Sequence, residues 1–370
     1  MSFSSLFDGT ERRKKTRVPG RPLGIISDFV VEEMPQILEE IRSETCAVYA
    51  LEQTVESMMK DLSRHTLAKC IADMHECELA ALDCKMLDAA IVFSGGRVPD
   101  QLTTIIDALA EITDMLPVIT YEEFVFINPP EDRRTFTCGL TAQMETDFYE
   151  GHRIIETFMD KVVNLLWKAL NELARKREAG LDTAVSLLHQ ALDQLRRIHE
   201  YIELFGTKLK NEYFEIFRYY SATHPVRKLH GAFMKGASGF FSASIPTADL
   251  LLGGENLAAD HIESLRHHLP YYPRKGRKDI QRAMNNVAIG CTLNGFYEDL
   301  RQPQALGSIL QELSHTLRIF RGKHYRVVSI QLPGLFTGEQ AGTGGGSKQM
   351  LRNRIGIRHI NEEQKQDTHI

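Results

Sequence analysis

A second tryptophan, a CxxC pair and a long apolar run are all missing from this chain of 370 residues. A bilayer-crossing helix needs about 20 consecutive apolar residues, and no run approaches that length, so no membrane span is expected. The polar start carries no apolar segment of the signal-peptide kind, which makes the cytoplasm the default location. A net charge of −5 is small, and it gives no case for nucleic acid or an anionic membrane surface as partner. Six cysteines, Cys46, Cys70, Cys77, Cys84, Cys138 and Cys291, are too sparse for a disulfide framework. Cys70, Cys77 and Cys84 fall near one helical face with His75 close by, yet zinc ligands usually pair at shorter spacing, so packing thiols are the stronger reading. No interval recurs at a fixed period, which argues against a solenoid.

What is present is helical periodicity, and the fold class expected is all-α. Residues 1–22 carry ERRKKTR with Pro19, Gly20 and Pro22 and have no face to bury, so they read as a disordered basic tail. From Asp28 the pattern turns helical through Val31, Met34, Leu38 and Ile41, with Pro35 marking either a kink or a later helix start. Ser63 to Phe93 reads as one long amphipathic helix, ended by Gly95, Gly96 and Pro99. A further helix from Gln101 to Met115 stops at Pro117. Residues 117–134 carry β-branched and aromatic residues ahead of Pro129 and Pro130, which predicts an extended connector. It separates a smaller N-terminal helical domain, 23–117, from a larger C-terminal one, 118–355, with a polar tail at 356–370. Two helices follow the connector, at about 140–177 and 181–206, with Gly180 between them.

The long C-terminal helix is the most informative stretch. Leu306, Leu310, Leu313, Leu317, Phe320, His324, Val327 and Gln331 recur at steps of three and four and so share one face. A histidine in such a stripe is either a core residue whose nitrogens find local partners or a metal ligand. Arg321 stands one turn before it on the same side, able to bind a carboxylate as a fork. After Pro333 and Gly334 comes the run Gly342, Thr343, Gly344, Gly345, Gly346, Ser347, which is either a surface loop or a place where backbone approaches a ligand closely.

Upstream, residues 212–222 pack Tyr213, Phe214, Phe217, Arg218 and Tyr220 into three helical turns. Such a density of rings is usually core, and an arginine among them can simply carry its head to water. The same residues also suit a pocket that holds the carboxylate of an aromatic amino acid while rings enclose its side chain. Gly236, Ala237, Ser238 and Gly239 then leave room for something flat against the backbone, or for a tight helix contact.

Phe320, Arg321 and His324, followed by GTGG at 342–345, resemble the proximal-histidine helix and glycine loop of the indoleamine and tryptophan dioxygenase superfamily. The short interval between His324 and Gly342, with NPPEDRRTFT at 128–137, favours its pyrrolnitrin-type branch, the monodechloroaminopyrrolnitrin synthases. The resemblance covers roughly residues 120–355. It implies an indoleamine-dioxygenase-like helical fold, a haem b cofactor with His324 as the iron ligand, and Arg321, Gly344 and Gly345 as further haem contacts. It implies Arg218 on the substrate carboxylate, with Tyr213, Phe214, Phe136 and Thr343 around the rest of the substrate. Ser238 and Gly239 fall on the oxygen-binding side, while Gly139 stands near where the indoleamine enzymes have a serine. The function expected from it is a haem-dependent oxygenase using O2 on an aromatic, tryptophan-like amino acid. The alternatives are a non-catalytic haem sensor or carrier, and a monooxygenase of the haem-dependent tyrosine hydroxylase type. His224, His230, His267 and His268 have no counterpart in that family and read as surface or packing histidines; oligomeric state stays open.

Overall fold

The computed structural model describes residues 20–208, 211–253 and 259–331, and among them the protein is all-α apart from a hairpin of two residues per strand, Lys228–Leu229 against Ala232–Phe233. The first six helices are α1 (Ile25–Glu32), α2 (Met34–Arg42), α3 (Val48–Asp61), α4 (Arg64–Ile71), α5 (Met74–Phe93) and α6 (Asp100–Thr113). Pro35 sits in the first turn of α2, where its missing N–H costs nothing, so it marks a start and not a kink. The folded chain begins before residue 22: Arg21 grips Asp132 through Nε and Nη2, each at 2.8 Å, and Asp28 at 3.0 Å.

The expected single helix over 63–93 is two helices. Asp73 breaks it by turning its carboxylate onto the N–H groups of His75 and Glu76, which caps the start of α5. Nor is α5 amphipathic, for it is buried on nearly every side. Its polar residues are internal partners. Asp83 meets Arg134 at 2.8 Å and the Ser27 hydroxyl at 2.6 Å, Lys85 meets Glu123 at 2.6 Å, and Asp88 accepts from His224 at 2.7 Å. A charge enters such a core only when paired and hydrogen-bonded, and with Arg227 Nε 3.6 Å from Asp88 each of the three has an opposite charge from later in the chain. Cys70, Cys77 and Cys84 are buried free thiols, and the Cys70 thiol donates to the Pro22 carbonyl; His75 is exposed.

The connector is less extended than its residues suggest. Glu123–Ile127 forms one π-helical turn, held because the Glu123 carboxylate accepts from Thr120 as well as from Lys85. Beyond it run α7 (Gly139–Lys176) and α8 (Leu181–Lys208), joined by a 3₁₀ turn at Arg177–Gly180. At 1.5 Å per residue α7 is about 57 Å long. Gly180 permits the turn, because a Cβ there would lie 2.7 Å from the Glu172 carbonyl oxygen. Then come α9 (Asn211–Tyr220), α10 (Ser244–Leu252), α11 (Ala259–His268), α12 (Arg274–Ala288), α13 (Leu293–Asp299) and α14 (Gln304–Gln331).

Two large apolar cores form among the described residues. One is built mainly from α1–α6, with Phe124, Phe136, Tyr149 and Tyr220 added from later in the chain. The other gathers α7, α8, α10 and α14 around Leu166, Leu188, Leu195, Leu250 and Leu313. The stripe on α14 packs as its period requires, with Leu306, Leu310, Leu313, Leu317 and Phe320 all buried.

Candidate functional site

One turn past Phe320 the stripe opens. His324 is only partly buried, its ring parallel to that of Phe320 (centroids 6.4 Å apart, 9° between planes), and its imidazole makes no hydrogen bond among the described residues. Burial, and in second place the nearness of His152, push its pKa down to about 4. The ring is therefore neutral at physiological pH, which is the state that binds a metal.

His152 reaches this neighbourhood from α7. Its Nδ1 lies 2.9 Å from the Phe148 carbonyl oxygen. A carbonyl can only accept, so Nδ1 carries the proton and the Nε2 lone pair is left outward. Burial also holds His152 below the ordinary imidazole value, against the opposing pull of the Phe148 carbonyl. Nε2 stands next to the small-residue segment: a Cβ on Gly239 would come within 3.1 Å of it. Tyr121 meets the ring edge-on at 5.9 Å and donates its hydroxyl to Glu156 at 3.0 Å, while the other carboxylate oxygen of Glu156 accepts from Ser244.

Two glycines let these helices close around the rings. A Cβ at Gly151 would fall 2.1 Å from the Phe205 ring, so Phe205 of α8 lies against the α7 backbone. At Gly206 a Cβ would meet Val327 at 2.7 Å, which brings α8 against the end of α14. The aromatic wall follows: Phe148 contacts His152 (4.3 Å between centroids), Phe214 (5.2 Å) and Phe217 (5.5 Å), and Val328 of α14 packs on the same cluster.

The residues singled out from sequence divide accordingly. Phe214 is buried in that wall; Tyr213 and Arg218 are partly buried on the same helix, Arg218 one turn beyond Phe214. Burial lowers the Arg218 pKa, with Glu215 working the other way. Phe136 is 0 % exposed, stacked on Tyr220 at 4.8 Å and 13°, and its ring offers no open face to a ligand. The Ser238 oxygen accepts from the Phe240 N–H at 3.2 Å, opening a 3₁₀ turn, so Gly239 rather than the serine hydroxyl meets His152. Arg321 donates to Asp249 of α10, so its charge is already shared with a carboxylate. Thr343, Gly344 and Gly345 lie outside the described residues.

His224, set aside from sequence as packing or surface, is a packing residue: its Nδ1 accepts from the Val226 and Arg227 N–H groups and its Nε2 donates to Asp88. His152 is the residue the sequence reading passed over. Its signal was present, since Glu145, Tyr149, His152, Glu156 and Met159 run along α7 at steps of three and four, and all but His152 are buried. No protein-family model matches the chain, and no curated protein matches it either.

Proposed function

We propose that the protein is a haem b-dependent oxygenase that uses O2 to oxidise or rearrange an aromatic, tryptophan-like amino acid. The observation that carries this reading is His324, a neutral imidazole with no hydrogen-bond partner among the described residues, partly open, at the end of an apolar stripe. Among the described residues no three His, Cys, Asp or Glu side chains gather as an ion's ligand set. A porphyrin asks less of the chain, for it brings four nitrogens of its own and needs one axial side chain. His324 fits that requirement, and Arg321 stands one turn away, its charge shared in this reading between Asp249 and a propionate.

When bound, the haem supplies the activation of dioxygen. The chain's own residues orient the substrate and manage protons. Arg218 takes the substrate carboxylate as a charge-assisted pair, and Tyr213 and Phe214 seat the ring. Having no side chain, Gly239 keeps the Nε2 edge of His152 uncovered, and that lone pair accepts a proton from the reacting amino acid. Tyr121, anchored by its hydroxyl on Glu156, packs edge-on against the His152 ring. The resemblance adds Thr343 at the ammonium end and Gly344 and Gly345 against the haem.

The test is spectroscopic before it is catalytic. Purified protein supplied with haem shows a Soret band, His324→Ala abolishes or displaces it, and the ferrous protein consumes O2 in step with product from tryptophan or tyrosine derivatives. An unaltered spectrum in His324→Ala removes the proximal assignment; haem uptake without O2 consumption makes the protein a sensor or carrier.

A further inference from the structure

Outside this site, the segment leading into Gly236 carries a lysine with no acidic partner. Lys235 Nζ lies 2.6 Å from His268 Nε2, and no carboxylate pairs with it among the described residues. The tautomer of His268 is settled by its other nitrogen. Nδ1 is 2.8 Å from the Ser264 carbonyl oxygen, nearer than the Ser264 hydroxyl at 3.4 Å, and a carbonyl can only accept, so Nδ1–H donates there and the Nε2 lone pair faces the lysine. Tyr271 receives the Lys235 backbone N–H at 3.3 Å, and the Phe240 ring meets His268 edge-on at 5.8 Å.

The backbone holds this arrangement in place. Met234 accepts from the His224 N–H and donates to the Arg227 carbonyl, both at 2.8 Å. Gly236 passes so close to Ser221 that a Cβ would stand 1.9 Å from its carbonyl oxygen, so only glycine fits. A partly exposed amine is thus pinned against the lone pair of an imidazole, in surroundings that disfavour its charged form.

We propose that Lys235 and His268 form a nucleophile–base pair, and that Lys235 is a modification site for activated acyl groups, acyl phosphates and acyl thioesters. The amine nitrogen attacks the acyl carbon and an N–C bond forms; the C–O or C–S bond breaks and phosphate or thiolate leaves. The proton lost from Nζ passes to His268 Nε2, and nothing is oxidised or reduced. The product is a neutral amide. Acylation removes a positive charge three residues before Ser238.

Lys275 supplies the internal comparison, being exposed and paired with Asp160 at 2.7 Å, which raises its pKa. Folded protein is treated with acetyl phosphate near neutral pH, and acetylation at each lysine is followed by peptide mass spectrometry. Lys235 is expected to react at least about tenfold faster than Lys275, and His268→Gln to bring that ratio down towards one. A ratio near one in the folded wild type, or a ratio that His268→Gln leaves unchanged, overturns the proposal. If His268→Gln does not fold, the wild type labelled in urea decides: the advantage of Lys235 must vanish when Lys235 and His268 separate, and its persistence there also overturns the pair.

Discussion

Gly239 and His152 lie close together across 80-odd residues of chain, and a side chain at 239 would crowd the ring: a Cβ there would stand 3.1 Å from the imidazole Nε2. That nitrogen carries the free lone pair, because Nδ1 is committed to the Phe148 carbonyl. The small residue thus sets both the position of the ring and the access to its reactive edge.

Gly239→Ala should displace the His152 ring by a few tenths of an ångström. We expect a stability loss of about 1 kcal/mol in urea unfolding, an unchanged haem content, and slower O2 uptake. His152→Leu should go further, lowering uptake about 100-fold while the Soret intensity holds. Uptake at the wild-type rate in His152→Leu would restrict that histidine to packing.

Arg218→Leu should leave haem binding intact and weaken the spectral shift produced by titration with tryptophan analogues. A buried charge-assisted pair lost on one side costs about 2–5 kcal/mol, so apparent Kd should rise at least about 30-fold. An unchanged titration would make Arg218 structural.

Arg134→Met tests the tie between α5 and the connector. Arg134 and Asp83 are both 0 % exposed, and the substitution leaves the Asp83 carboxylate buried with the Ser27 hydroxyl for company. Breaking a buried pair from one side costs about 3–5 kcal/mol, read as a lowered midpoint in urea. Asp83→Asn combined with Arg134→Met should recover part of that loss, since no bare charge is then left inside.

Glu145 predicts a pH dependence. Its carboxylate accepts from the Phe136 N–H and from the Thr137 and Tyr149 hydroxyls, with no cation in contact among the described residues, and burial raises its pKa from 4.5 to about 7. The folded state therefore binds more protons than the unfolded state between those values. Stability from this group falls as pH rises through that window, by up to about 1.4 kcal/mol per pH unit, and is flat above it. Glu145→Gln removes this component, so the variant should gain on the wild type from about pH 4.5 to about pH 7. Parallel profiles for the two proteins would show that Glu145 does not titrate there.

Much of this molecule was already written in the periodicity of its residues. The stripe Leu306 to Phe320 buries as its spacing requires, α7 and α8 turn at Gly180, and His324 stands on the α14 face where the count of three and four puts it. Those features depend on neighbours within one helix, and a repeat of 3.6 residues encodes them locally. The tertiary structure alone decided what meets across the chain. Asp83, Lys85 and Asp88 are charged positions pointing to different sides of α5, yet each meets an opposite charge from another element, Arg134, Glu123 and Arg227, so the helix is buried on nearly every side. Arg321 finds Asp249, Gly239 finds His152, and Lys235 finds His268 in the same way. Such pairs are set by packing between helices far apart in sequence, and no local period carries them.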